Sequence, residues 1–102
     1  MEKIKPHYQL SAVQDEVARR GTASFTMTAM RNGLAMGLTV AQMIDVVRSL
    51  TRGDFYKSMT THADHRIWQD VYHAATPAGK MAYIKVTGQG EGVPPVIQFK
   101  EL

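Results

Sequence analysis

The sequence predicts an α+β domain: three amino-terminal helices packed on one face of a carboxy-terminal antiparallel sheet. Two observations carry this. Apolar side chains recur at helical spacing over residues 1–50, and beyond Gly53 that period gives way to strand-like alternation. Helices that precede strands, rather than alternate with them, gather on one side of a sheet. At 102 residues the chain is long enough for one core and too short for two, so residues 1–102 form a single domain.

The first helix opens on a capping-box pattern. Ser11 and Gln14 have the spacing at which hydroxyl and amide satisfy each other's backbone N–H groups. Leu10, Val13 and Val17 follow at helical intervals, and Gly21 supplies the stop. A second helix is expected over residues 26–36, with Met27, Met30 and Leu34 on its apolar side. Gly33 weakens it by about 1 kcal/mol relative to alanine, and Gly37 suits the left-handed position that follows. The third helix has the clearest signal: Thr39 and Gln42 form another capping box, Val40, Met43, Ile44, Val47 and Leu50 draw one stripe, and Gly53 closes it. Six of the seven methionines fall at or before Met59, which assigns them to adaptable packing in the helical layer.

Tyr56 to Thr61 is a short strand-tolerant run, broken by the loop residues His62 to His65. Ile67 to Tyr72 is rich in strand formers, with Trp68 read as a core aromatic. Residues 74–79, with Pro77 and Gly79, form a hairpin connection. Ala82, Ile84 and Val86 then alternate with Tyr83, Lys85 and Thr87, the cleanest two-residue period in the chain. After the glycine-rich loop 88–92, Pro94 and Pro95 cannot donate ladder bonds, so the last strand starts beyond them with Ile97 and Phe99 inward. The sheet has three or four strands.

Composition narrows the function. Without cysteine there is no disulfide scaffold, thiol nucleophile or thiolate metal site. No apolar run reaches the length of a membrane span and the start lacks a signal peptide's apolar segment, so a cytoplasmic protein is expected. The formal charge of +3 permits a polyanion partner, but the 12 Lys and Arg residues are dispersed, so any nucleic-acid contact is a shaped site rather than a basic tail. No phosphate-binding glycine loop, dinucleotide fingerprint or serine elbow occurs. His62 and His65 lie three apart with Asp64 between them, a spacing more suited to a solvated loop than to a metal. Asp54 and Asp64 read as turn formers, and Asp54, Asp64 and Asp70 are too interrupted for two-carboxylate hydrolysis.

An unusual polar load remains on the strands. Lys57, Gln69, Tyr83 and Lys85 occupy positions where a plain sheet carries threonine or valine. An ammonium, an amide and a phenol suit a phosphodiester: the cation neutralises developing charge, the amide orients a hydroxyl, and the phenol moves a proton or stacks on a base. A solvated face of a one-sided sheet explains the same residues equally well at this stage.

The segments Asp54 to Thr61 (DFYKSMTT), Asp64-His65 and Ile67 to Tyr72 (IWQDVY) strongly resemble the MqsR toxin family of bacterial toxin–antitoxin pairs. The opening Pro6-His7 with Leu10-Ser11, and the ending Phe99-Lys100-Glu101, extend the likeness over nearly the whole chain. The resemblance implies a RelE-like fold and a metal-independent endoribonuclease that needs no cofactor and cleaves messenger RNA at GCU-type sites. It implies an antitoxin partner with a zinc-binding amino-terminal domain and a helix-turn-helix domain, with no membrane or direct DNA contact for the toxin itself. The family's functional residues fall on Lys57, Gln69 and Tyr83, the same three that the strand pattern leaves unexplained. Tyr56, Lys85 and His65 are accessory candidates, and His73 and His62 are weaker ones. The family's Arg-Pro-Arg after Val-Tyr is His73-Ala74-Ala75 here, with two cations fewer.

These residues predict attack by the RNA's own 2′-hydroxyl on the adjacent phosphorus. Lys57 stabilises charge, Gln69 positions the hydroxyl or phosphate, and Tyr83 assists proton transfer, with His65 the alternative base because imidazole titrates near neutrality. A competing reading is a weakly or non-catalytic regulator that binds its antitoxin and tunes its DNA binding; a weaker third is a gyrase-directed toxin. In strict alternation Gln69 shares a face with Ile67 and Val71, and either a bulge or a twist would turn it outward.

Overall fold

Three helices, α1 (Leu10–Arg20), α2 (Met27–Ala35) and α3 (Val40–Arg48), precede most of the sheet in a computed structural model that describes residues 1–102. The strands are β1 (Glu2–Lys3), β2 (Phe55–Thr60), β3 (Trp68–Ala75), β4 (Met81–Thr87) and β5 (Val96–Glu101), antiparallel and side by side in chain order. The sheet thus has one strand more than expected. The extra strand is β1, whose two residues are too few to show alternation in the sequence.

The helices follow the predicted periods, with two corrections. Thr39 and Gln42 do form a capping box, and Met43 and Val47 are fully buried. Ser11 and Gln14 do not: α1 starts two residues earlier, at Leu10, on an uncapped Gln9. The Gln14 amide instead donates to the carbonyls of Val47, Arg48 and Leu50 at 3.2, 3.0 and 2.8 Å. It thereby supplies donors for the orphan carbonyls where α3 ends, before Gly53, which lies in a separate 3₁₀ turn. The buried side of α2 is Ala29, Gly33 and Met36, while Met27 and Leu34 face solvent. Small residues win because they let α2 approach closely: a Cβ on Gly33 would meet the Met43 sulfur at 2.1 Å. The methionine reading therefore holds for Met36 and Met43 and fails for Met1 and Met27, which are exposed.

On the sheet, Tyr72, Ala74, Ala82, Ile84, Val86, Ile97 and Phe99 point into one core with Val13, Val17, Met43 and Val47 of the helices. Roughly 25 cal/mol per Å² of apolar surface removed from water holds these layers together. Phe25 bridges to Ile97, whose carbonyl accepts from Thr26 N–H at 3.1 Å, and the Asn32 amide donates to the Phe99 carbonyl at 3.0 Å. The outer edge of β5 is thereby partly closed, leaving β1 as the open edge.

The amino-terminal segment is stapled to the far end of the sheet. Asp70, 1% exposed, accepts from the backbone N–H groups of His7 and Tyr8 at 3.0 and 2.8 Å and from Ser58 Oγ at 2.6 Å. Trp68 is not in the core: His7 stacks on it at 5.4 Å and the Lys3 ammonium lies 4.1 Å from its ring centre. Tyr8 donates its hydroxyl to the Trp68 carbonyl at 2.8 Å, and only glycine fits at position 88, where a Cβ would lie 2.0 Å from that hydroxyl. His7 thus packs on the sheet.

Candidate active site

The face of the sheet turned away from the core carries the candidate chemistry. Cross-strand pairing aligns Lys57, Val71, Lys85 and Gln98 in one row, His73, Tyr83 and Lys100 in the next, and Met59, Gln69, Thr87 and Val96 on the other side. Opposed residues share a face, so Lys57, Gln69, Tyr83 and Lys85 all lie on this surface.

A bulge exists, but in β2 rather than β3. Phe55 pairs with Tyr72 and Lys57 with Val71, so Tyr56 is an extra residue in β2. Regular alternation would put Tyr56 and Lys57 on opposite sides; the bulge lets both serve the open face while Phe55 packs against Tyr72 in the core. Gln69 needs no such device. It shares its face with Val71, which is buried beneath the long side chains around it, whose aliphatic stems cover apolar surface while their heads stay wet.

Lys57 and Tyr83 form the centre of the arrangement. The Lys57 ammonium donates to Glu2 at 3.0 Å, and that hydrogen bond, with the Glu2 charge and the nearby Tyr56 and Tyr83 phenols, pushes its pKa up. Burial pushes the Tyr83 phenol up, partly opposed by Lys57. Lys57 therefore keeps its charge and Tyr83 its proton at neutral pH. His73 lies between two tyrosines, stacked on Tyr56 at 4.4 Å and tilted against Tyr83 at 5.7 Å, with Nε2 buried and unpartnered.

The other candidates lie further out. The Gln69 amide donates to Thr87 Oγ1 at 3.1 Å. It sits four residues along β3 from His73, the partner of Tyr83, a separation of about 13 Å at ordinary strand rise. Gln69 and Tyr83 therefore flank Lys57 instead of meeting at one point. His65 is exposed in the turn beyond the Thr60–Trp68 pair, at the end of the sheet away from Tyr83. Asp64 in that turn pairs with Arg66, whose hydrogen bonds hold its carboxyl down to about 2; it is a turn former, as its sequence suggests. Lys85 is pushed down by burial and by Lys100.

Three groups at this face carry less weight in the sequence than in the fold. His73 is legible in principle, since alternation from Gln69 through Val71 puts it on the same side. Lys100 is outward by alternation from Phe99. Glu2 has no sequence signal, because a two-residue strand brings it in from the other end of the chain.

A helix-backed sheet whose open face gathers three ammonium groups, two phenols, an imidazole and two amides defines an α+β domain with a cationic, hydrogen-bonding surface. Residues 5–101 match the family model described as "Motility quorum-sensing regulator, toxin of MqsA". The chain is also similar to the mRNA interferase toxin MqsR of Escherichia coli (strain K12), 40% identical over 101 residues that cover 99% of each chain. It belongs to the MqsR toxin family.

Proposed function

We propose that this toxin is an mRNA interferase that cuts RNA by internal attack, with the open sheet face as its active centre. Its substrate is messenger RNA and its partner an antitoxin, which the toxin–antitoxin family and the named activity of its relative support. The observation that carries the site is the β2 bulge, which sets Lys57 beside Tyr83 on one accessible surface.

In the reaction the 2′-hydroxyl oxygen bonds to the adjacent phosphorus and the bond to the 5′-oxygen breaks. The products are a 2′,3′-cyclic phosphate and a 5′-hydroxyl. Lys57 neutralises charge on the phosphorane, and its raised pKa suits a fixed cation rather than a base. Tyr83, held as a phenol, gives its proton to the departing 5′-oxygen, and Lys57 stabilises the phenolate that forms. The 2′-hydroxyl proton passes to solvent, and the Tyr83 phenolate takes a proton back from solvent, which restores the enzyme. Neither Lys57 nor Tyr83 is an efficient base at neutral pH, so the enzyme is slow beside ribonucleases that present free imidazoles. Gln69 orients the strand on the other side of Lys57, and Tyr56 with His73 forms a platform on which a base stacks. His65 lies outside this cluster and takes no part. No metal ion enters the scheme, and GCU-type sites are the preferred sequence that the family likeness suggests.

The antitoxin docks at the open β1 edge, since the edge of β5 is partly occupied by Thr26 and Asn32. Mapping the ends of RNA incubated with wild-type protein and with Lys57→Ala, with and without EDTA, tests the chemistry. Cyclic phosphate ends formed in EDTA and lost in Lys57→Ala are expected. Cleavage that survives the substitution with an intact fold, or that EDTA abolishes, overturns the assignment.

A further inference from the structure

We infer that a cavity between α2 and the open face of β4 and β5 is a binding site for one nucleotide of the RNA next to the scissile linkage. Its phosphate meets Lys85 and Lys100, and its base meets the amide of Gln98, which turns its unpartnered Oε1 toward the cavity to receive it. The inference rests on the ribonuclease reading above and deepens it.

The cavity has a volume of about 240 Å³ and opens beside the reacting centre, because Tyr83 belongs to both. Lys85 and Lys100 line it, no carboxylate does, and neither lysine takes part in an ion pair. Lys85 is held below the ordinary lysine pKa by burial and by Lys100, so an anion seated between the two ammonium groups relieves both burdens. Two unpaired cations facing one cavity form an anion site.

The remaining lining favours a nucleotide over a bare anion. Gln98 Oε1 is buried with no donor. An unmet buried acceptor discriminates strongly in favour of a ligand that supplies the donor. Each of the four RNA bases carries an N–H donor on its Watson–Crick edge, uracil through N3, whereas an abasic residue carries none. Asn32 is anchored through its amide to the Phe99 carbonyl, and Thr28 adds a hydroxyl at the rim. Lys57 and Lys85 stand two strands apart in one row, about 10 Å at ordinary strand spacing. A single strand that lays its scissile phosphate on Lys57 can therefore place a neighbouring nucleotide in the cavity.

The test uses the full chain and short RNAs made uncleavable by 2′-O-methylation, carrying each base or an abasic residue at each position flanking the linkage, with a cleavable set assayed in parallel. Lys85→Gln is expected to weaken binding about tenfold and to flatten the dependence of log affinity on log salt by about 0.7. Lys85→Arg is expected to restore both. Gln98→Leu is expected to abolish the advantage of a base over an abasic residue at one flanking position while leaving the salt dependence unchanged. Circular dichroism and urea midpoints report whether each variant folds. Unchanged affinity, salt slope and base preference in folded Lys85→Gln and Gln98→Leu overturn the inference. Intact RNA binding with lost antitoxin binding does so too, by assigning the cavity to the protein partner. Wild-type protein that shows these binding differences yet cuts none of the cleavable RNAs upholds the site and refutes the ribonuclease reading alone.

Discussion

Glu2 Oε2 lies 3.0 Å from Lys57 Nζ, so the first strand of the sheet sets a carboxylate on the ammonium at the centre of the candidate site. RNA phosphate and Glu2 want the same cation. The pair is solvent-facing, which keeps its strength low and salt-sensitive, so phosphate can displace it. Glu2→Gln is expected to lower KM for RNA a few-fold with little change in kcat, measured as initial cleavage rates at low ionic strength, and the difference shrinks as salt rises. An unchanged KM at low salt would show that Glu2 does not compete.

Lys57→Ala removes the ammonium proposed to meet charge on the phosphorane. Loss of one such preorganised donor lowers kcat about 100- to 1,000-fold, whereas a residue that merely holds substrate raises KM. Rates on a defined RNA, with circular dichroism to confirm the fold, separate the two.

Tyr72 gives a pH signature of the fold. Burial pushes its phenol from the ordinary 10.0 up to about 12. A group whose pKa is raised on folding contributes stability that is intact below the unfolded value and lost as pH climbs through the folded one. Urea midpoints for the wild type should therefore fall between about pH 10 and 12, and Tyr72→Phe should flatten that decline. On the proposed nucleotide site, RNA binding should respond at lower pH, because Lys85 is held below the ordinary lysine pKa by burial and by Lys100. Affinity for uncleavable RNA should weaken first on the alkaline side, and Lys85→Gln should remove that step.

Asp70 ties the amino-terminal segment to the sheet. Asp70→Ala leaves Ser58 Oγ and the backbone N–H groups of His7 and Tyr8 without their acceptor. The expected cost is about 3 kcal/mol or more, read as a lower urea midpoint. Hydrogen exchange at His7 and Tyr8 should accelerate ahead of exchange in β3 and β4, because the segment is released before the sheet opens.

The alternation of Ala82, Ile84 and Val86 against Tyr83 and Lys85 could only fold one way, since one face had to be dry, and it did so. Thr39 with Gln42 capped α3 for the same local reason. Where two local patterns competed, packing chose between them. Gln14 served the carbonyls of a neighbouring helix instead of its own cap, and α2 turned its small residues inward because close approach to Met43 outweighed burial of Met27 and Leu34.

By itself, then, the chain order of residue types determined the layers, the inward half of each long strand and the polar identity of the outward half, because period and propensity act over a few residues. Only the tertiary structure decided which outward groups meet. The extra residue at Tyr56 turned Lys57 toward Tyr83, and a strand of two residues carried Glu2 across 55 positions of sequence to reach it. Such contacts arise from register and edge pairing, which depend on the whole sheet and leave no local trace.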